Sequence, residues 1–374
     1  MSNNRHDEAE RYATAARKSM SHVAFEVFKS PSPCLNEDRF DEDFFAQRGS
    51  EDVRTFNLEQ VLTILTMMDK DILIPIIEGT LPQRVRADLS QAMRNEIKQP
   101  DTIPGIYINY IVDKNGRHPT KADILAILDA MQDYINEFDD GVKVFSRVID
   151  FLFKPKDPQG LKYCENPSQK AGAELFIEGM RDRLSSEPNG PLRGGISEVG
   201  FSINISSRLA NHYKHQSSNK VMTLFDACAM HLFVDRYSIQ GYPVVRIVSP
   251  HAVDMAECLI SRLPSSYVLW GWGFNANQAG ASVQGVNSLK ILQAAADSKG
   301  KNSWATIEAE ASTSGITGER AVVEQRIKDS REEMADIIEE HGATLDANLA
   351  AQRRYHRQFK RLRQLASDED DDQE

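Results

Sequence analysis

The stretch Asn211-His212-Tyr213-Lys214-His215-Gln216-Ser217-Ser218-Asn219-Lys220 is dense in hydrogen-bond donors and carries a phenol. Ammonium groups attract phosphates and a ring offers a stacking face to a base, the two things a single-stranded nucleic acid needs. An ordinary polar surface loop has the same composition. Ser298-Lys299-Gly300-Lys301-Asn302 adds two ammonium groups on a backbone whose own N–H groups can reach a phosphate. A polar loop at 154–170 carries Lys154, Lys156, Lys162 and Lys170, and Arg193 stands in a Pro/Gly-rich break. The candidate RNA-binding residues read from the residues themselves are Lys154, Lys170, Tyr213, Lys214, Lys220, Lys299 and Lys301.

Other chemistry finds little support. There is no GxxxxGK[ST] phosphate loop, no HExxH and no GxSxG, and Gly271-Trp272-Gly273-Phe274 does not complete GxGxxG. His212 and His215 stand three apart and could share a metal, but no carboxylate or cysteine is near them in sequence. The four cysteines, Cys34, Cys164, Cys228 and Cys258, are scattered without a CxxC pair, which speaks against zinc and against a disulfide framework and fits a reducing compartment. The chain reads as a binding protein without cofactor or metal, not as an enzyme.

Composition sets the frame for these residues. The 374 residues suffice for two domains, and 41% hydrophobic residues is ordinary for a globular protein. No apolar run reaches membrane-spanning length, and the start of the chain is polar with mixed charge. The net charge of −11 opposes a polyanion, but it is unevenly spread. Residues 31–60 hold eight acids against three bases, and six of the last seven residues are acidic, whereas residues 190–303 hold ten Lys/Arg against six Asp/Glu. Local potential steers a polyanion, and distant acidic segments are screened.

Periodicity and punctuation place the elements. An apolar spacing predicts a helix over 5–28, stopped by Ser30-Pro31-Ser32-Pro33. Helical runs are expected from Leu58 to Met68, over 83–98, after the cap Thr120, from Val142 to Phe153 and over 171–184. Asp71–Ile77 reads as a buried apolar piece. Ile106–Val112 alternates as a strand before the turn Asp113-Lys114-Asn115-Gly116. Ser185–Gly195, with two prolines and three glycines, is the strongest break in the chain. Beyond it, helices are expected at 199–211, 219–237, 250–262, 287–297 and 303–312, and Gly241–Val248 reads as a strand or a buried connector. From Glu319 a long helix runs toward Leu365 with an apolar stripe at Ile327, Met334, Ile338, Leu345 and Leu349, ending in the basic cluster Arg353–Arg363. The fold class is mainly α: two helical lobes joined by a hinge, with N- and C-terminal arms. The expected units are an arm at 1–33, an N-terminal lobe at 34–190, a C-terminal lobe at 191–318, a helical arm at 319–365 and an acidic tail at 366–374.

Two of the three tryptophans fall in Pro264-Ser265-Ser266-Tyr267-Val268-Leu269-Trp270-Gly271-Trp272-Gly273-Phe274. Glycines interleaved with indoles suit an anchor where two backbones approach closely. Further on, Ser314-Gly315-Ile316-Thr317-Gly318-Glu319-Arg320-Ala321 offers Thr317 as an N-cap. Together these stretches resemble the C-terminal lobe of a paramyxovirus-type nucleoprotein, with its Tyr-Pro-x-x-Trp-Ser-Tyr-Ala-Met-Gly segment and Leu-Gly-Ile-Thr-x-Glu-x-Ala helix start. Tyr267, Trp270, Trp272, Gly315, Ile316, Thr317, Glu319 and Ala321 match in order. The spacing from Tyr267 to Trp270 is one residue short, Gly271 replaces Ser, and Gly273-Phe274 replaces Ala-Met. Pro188, Asn189, Pro191, Arg193, Ile196 and Glu198 follow the family's inter-lobe run. The likeness covers roughly 165–325 and points to the order Mononegavirales; chain length and acidic tail suit a fungal, mymonavirus-type member.

The resemblance implies a nucleoprotein that polymerises along genomic single-stranded RNA held between two lobes, with Arg193 at the groove and Lys290 as the basic residue after the aromatic motif. It implies homo-oligomers linked through terminal arms, a viral polymerase or its cofactor as partner, and no membrane. Its place would be the virion or a ribonucleoprotein complex in the host cytoplasm, the nucleus remaining open. A helical coat protein of a filamentous plus-strand virus and a cellular helical adaptor are the alternatives.

Overall fold

The computed structural model describes residues 3–29, 60–87, 91–98, 103–138, 143–153, 161–217, 219–247, 252–268 and 271–276, with isolated helical residues between 328 and 337. Among the described residues the chain is mainly helical, with one antiparallel three-stranded sheet. None of the described helices is long and apolar enough to cross a membrane.

The helices α1 (Asn3–Lys18) and α2 (Met20–Lys29) replace the single helix expected over 5–28. Ser19 separates them: its hydroxyl accepts the His22 N–H at 3.3 Å and meets His22 Nδ1 at 2.8 Å, which starts a new helix. The buried Tyr12, Ala16, Val23 and Phe25 join a core that also takes residues of α3 (Lys70–Glu78). Tyr12 Oη donates to Glu8 at 2.7 Å and accepts from Arg262 Nε at 3.1 Å. These elements are therefore not a detached arm: their apolar face is covered by their own chain. The buried piece Asp71–Ile77 lies in α3, helical despite Pro75, because Asp69 caps its start and Gly79 closes its end in the left-handed region.

Next come α4 (Leu81–Ala87), α5 (Gln91–Lys98) and the strand β1 (Gly105–Val112). Then follow α6 (Lys121–Asn136), α7 (Phe145–Phe151), α8 (Pro167–Ser186), β2 (Ser197–Ser202), α9 (Ile205–Tyr213), α10 (Lys220–Phe233), β3 (Ser238–Arg246) and α11 (Val253–Arg262). Thr120 caps α6 in a reciprocal box with Asp123. The order β2-β1-β3 makes β1 central, and Pro243 is tolerated because β3 is an edge. The expected helix over 199–211 is wrong in its first part. Val199 and its neighbours pair with β1, Ile108 standing opposite Val199, and only the later residues turn into α9.

Every residue of β1 is buried. Ile106, Ile108, Tyr110 and Val112 face the core built on α1, α2, α3 and α11. Ile111 belongs to a second core of α6, α8 and α10, and Tyr107 packs with Ile205 and Leu209 of α9. Each large core takes residues from both sides of the expected break at 190–191: Val112 and Val199 in the first, Leu128 and Phe225 in the second.

The break itself is pinned. Leu192 N–H donates to Pro119 O at 3.1 Å and Lys121 N–H to Gly190 O at 2.8 Å. Arg183, almost wholly buried, donates from Nη1 to Gly195 O and Gly271 O, both at 3.1 Å, and from Nη2 to Arg193 O. Its guanidinium lies 3.7 Å from the ring centroid of Trp272, whose edge meets His6. A Cβ on Gly271 would stand 2.4 Å from the Met180 backbone, and one on Gly273 2.0 Å from that of Ser266. Glycine is required at both, and the anchor reading of this stretch holds for Tyr267 and Trp272, both buried. Trp270 and Thr317 lie outside the described residues.

Trp272→Ala is expected to cost roughly 3–5 kcal/mol, since it opens a cavity and bares the Arg183 guanidinium. A urea melt in which the midpoint barely moves would refute that placement. His118 yields a pH test. Burial pushes its imidazole down to about 4, although Nε2 donates to Gly79 O at 2.7 Å. The unfolded chain therefore binds a proton that the fold rejects. Stability is intact above the ordinary histidine value of 6.5 and falls as pH drops from there toward about 4. The full loss is about 3 kcal/mol. His118→Gln, which keeps a donor, should flatten this stretch of the melting-temperature profile, and an unchanged slope would exclude His118 as its source.

Candidate nucleic-acid interface

Three loops and helix ends converge on a cleft of about 1000 Å³. The segment flanking α7 contributes Lys143, Leu152 and Phe153; the loop before α8 contributes Leu161, Lys162, Cys164 and Glu165. The end of α9 and the start of α10 contribute Tyr213, Lys214, His215 and Lys220. Four lysines thus face one glutamate across the lining.

His215 is the keystone of the wall. Its backbone is left-handed at φ 54°, which turns the ring back under the loop. Phe153 stacks on the imidazole with centroids 3.5 Å apart and planes 13° from parallel. His215 Nε2 donates to Asp226 Oδ2 at 2.8 Å, so Nδ1 accepts from the Tyr163 hydroxyl at 2.6 Å. Burial holds the imidazole pKa down against the opposing pull of Asp226, and burial raises the Tyr163 phenol. The cleft-lining Cys164 thiol is pushed up to about 12, again by burial. The hydrogen-bonded chain Asp226–His215–Tyr163 holds the wall in place.

The lysines divide by role. Lys220 Nζ, mostly shielded, donates to Glu165 Oε1 at 2.7 Å and to Lys162 O at 2.9 Å, tying α10 to the loop before α8. Lys162 Nζ donates to Phe153 O and lies 5.6 Å from the ring centroids of both Phe153 and Tyr163. Lys214 is exposed and Lys143 half-buried. Tyr213 is 45% exposed, and its hydroxyl accepts the Gly241 N–H at 3.1 Å, which fixes an open ring face beside Lys214. Charge for phosphate and a ring for a base stand side by side.

Of the sequence-derived candidates, Tyr213, Lys214 and Lys220 come together here. Lys170 does not line the cleft; it lies 3.7 Å from Glu174 and 5.7 Å from the ring centroid of Phe138, which does. Arg193 is elsewhere, in a separate pocket of about 300 Å³ with His6, Arg17 and Trp272. The loop that carries it is folded onto Arg183 and Trp272, and this removes it from the lysines. Lys154, Lys290, Lys299 and Lys301 lie outside the described residues. Sequence pattern does not single out Lys143, which is set between two valines, nor Lys162 within its lysine-bearing loop. His212 and His215 do not share a site: His212 Nε2 meets the Tyr107 hydroxyl at 3.0 Å, while His215 turns to Tyr163 and Asp226.

Compared with family models, with curated proteins and with solved structures, the chain matches none.

Asp226→Ala would leave the buried His215 N–H without an acceptor. The expected loss is about 1–3 kcal/mol, read by urea denaturation, and Asp226→Asn, which can still accept, should recover part of it. Equal losses in the two variants would show that the hydrogen bond is not what holds the ring.

Proposed function

We propose that this protein binds single-stranded RNA independently of sequence and coats it as a nucleoprotein. The observation that carries the reading is the cleft in which Lys143, Lys162, Lys214 and Lys220 surround a wall that includes Phe153 and Tyr213. Phosphate contacts position a strand without reading its bases, and an aromatic face accepts any base. The net charge of −11 does not counter this, because the cleft presents its own local field.

In this reading the polymer of protein and genomic RNA is the template of a viral polymerase, found in virions and in the host cytoplasm. With α1 and α2 covering their own core, linkage between copies falls to the C-terminal stretch 319–365. The RNA path runs through the lysine cleft, not along Arg193. Rings or filaments with co-purified RNA, seen by electron microscopy and a raised 260/280 absorbance ratio, are the expected gross behaviour.

The quantitative test is a salt titration of RNA binding by fluorescence anisotropy. Removing one phosphate-binding cation reduces the slope of log affinity against log salt by about 0.7 for a single strand. Lys143→Ala combined with Lys214→Ala should flatten it by roughly 1.4, equally for unrelated RNA sequences. An unchanged slope, or a change confined to one sequence, would defeat the reading.

A further inference from the structure

We infer that the start of α10 is the seat of one phosphate group of the bound strand. The Ser217 hydroxyl, the open N–H groups at the helix start and the Lys214 ammonium supply its hydrogen bonds. That the phosphate belongs to a strand rests on the nucleic-acid reading; the anion seat itself does not.

The Ser217 hydroxyl carries the argument. Ser217 lines the cleft and is only 4% exposed, yet its Oγ has no hydrogen-bond partner among the described residues. A buried hydroxyl without a partner forfeits the hydrogen bond it makes in water, so native proteins keep few of them that nothing uses. The imidazole two residues earlier does not use it. His215 commits Nε2 to Asp226 at 2.8 Å and Nδ1 to Tyr163 at 2.6 Å.

The helix start supplies the second set of donors. Asn219 caps α10: its Oδ1 accepts the Met222 N–H at 3.0 Å and its carbonyl the Thr223 N–H at 3.3 Å. The N–H groups of Lys220 and Val221 precede these and take no partner among the described residues. Open N–H groups at the positive end of a fourteen-residue helix favour an anion. Lys220 and Ser217 both line the cleft, so this end of the helix opens there.

Charge completes the seat. Two acids oppose an anion here, and both are answered: Glu165 by Lys220 at 2.7 Å and Asp226 by the N–H of His215 at 2.8 Å. Lys214 also lines the cleft, is exposed, and pairs with no acid among the described residues. One free ammonium with neutral N–H and O–H donors matches a single negative charge, which is what an internal phosphodiester carries. Neutral donors leave a signature that cations do not. Removing a cation changes the number of counter-ions released and hence the salt slope, whereas removing a hydroxyl weakens binding and leaves that number alone.

The test is a fluorescence-anisotropy titration of the full chain with labelled oligo(U) at several salt concentrations. Ser217→Ala is expected to bind roughly tenfold more weakly at every salt, on a line parallel to the parent's. Lys214→Ala should instead flatten the slope by about 0.7. The melting temperature of ligand-free Ser217→Ala should be no lower than the parent's, since no hydrogen bond is lost. A clear drop would give the hydroxyl a structural partner and overturn the seat, and so would oligo(U) binding as tight as the parent's.

Inorganic phosphate is the second probe, read as the rise in melting temperature over chloride at equal ionic strength. Phosphate stabilises folded proteins in general, so the readout is the difference between the parent and Ser217→Ala. If neither protein binds oligo(U) while phosphate raises the parent's melting temperature more than the variant's, the RNA reading falls and the anion seat stands. If oligo(U) binds both alike, the seat is no part of the RNA path and the proposal falls, while the RNA reading stands.

Discussion

The guanidinium of Arg183, laid against the indole of Trp272, holds together parts of the chain that have little else in common. It donates to the carbonyls of Arg193, Gly195 and Gly271, and Glu187 stands 3.6 Å from its Nε. A buried cation is expensive unless its donors are used and its charge is answered. Here the donors go to backbone oxygens of two separate loops, and the ring face and Glu187 answer the charge. Removal of either partner would strand the other, so α8, the Pro/Gly break and the tryptophan loop are fixed as a unit. The break is rich in residues that promote turns, yet it is not a free joint, because its carbonyls are already engaged.

The central strand extends this constraint to the rest of the molecule. Residues on the two faces of β1 belong to different cores, so the sheet is a partition. The N-terminal helices lie on one side; α6, α8 and α10 lie on the other, where the lysine cleft also opens. The cleft is made of loops, but those loops issue from helices locked into the second core. Phe153, stacked on His215, and Asp226, bonded to it from α10, carry that rigidity to the wall. Cations presented on such a wall keep their spacing without being reordered on each encounter.

Local signals are legible in the sequence. The alternation of Ile106–Val112 is β1, Thr120 is the cap of α6, and Asp113 accepts the N–H groups of Asn115 and Arg117 in the expected turn. The features that escape a reading of the sequence depend on distant partners. Residues 197–202 have no strong strand signature of their own and become β2 because β1 has an open edge there. Ser19 splits a helix whose apolar spacing alone runs straight through it. The N-terminal helices look unpartnered in sequence because what covers them, including Arg262 of α11, comes from elsewhere in the chain. Charge and a place in the break group Arg193 with the lysines, whereas Arg183 holds that loop in another pocket.

The candidate site is legible only in its densest part. Tyr213, Lys214 and Lys220 are close in sequence, and any surface loop would keep them close in space. Lys143 and Lys162 join them through the packing of α7 and α8, which no local pattern encodes. The distinction that matters for binding is finer still. Lys220 and Lys162 commit their ammonium groups to Glu165 and to backbone carbonyls, so they shape the cleft and contribute a background potential. Lys214 lies exposed beside a ring whose orientation is fixed by Gly241, and an anion can reach it without first displacing a wall-building hydrogen bond. The affinity of such a cleft depends less on the number of its lysines than on how the fold divides them between building the wall and facing the ligand.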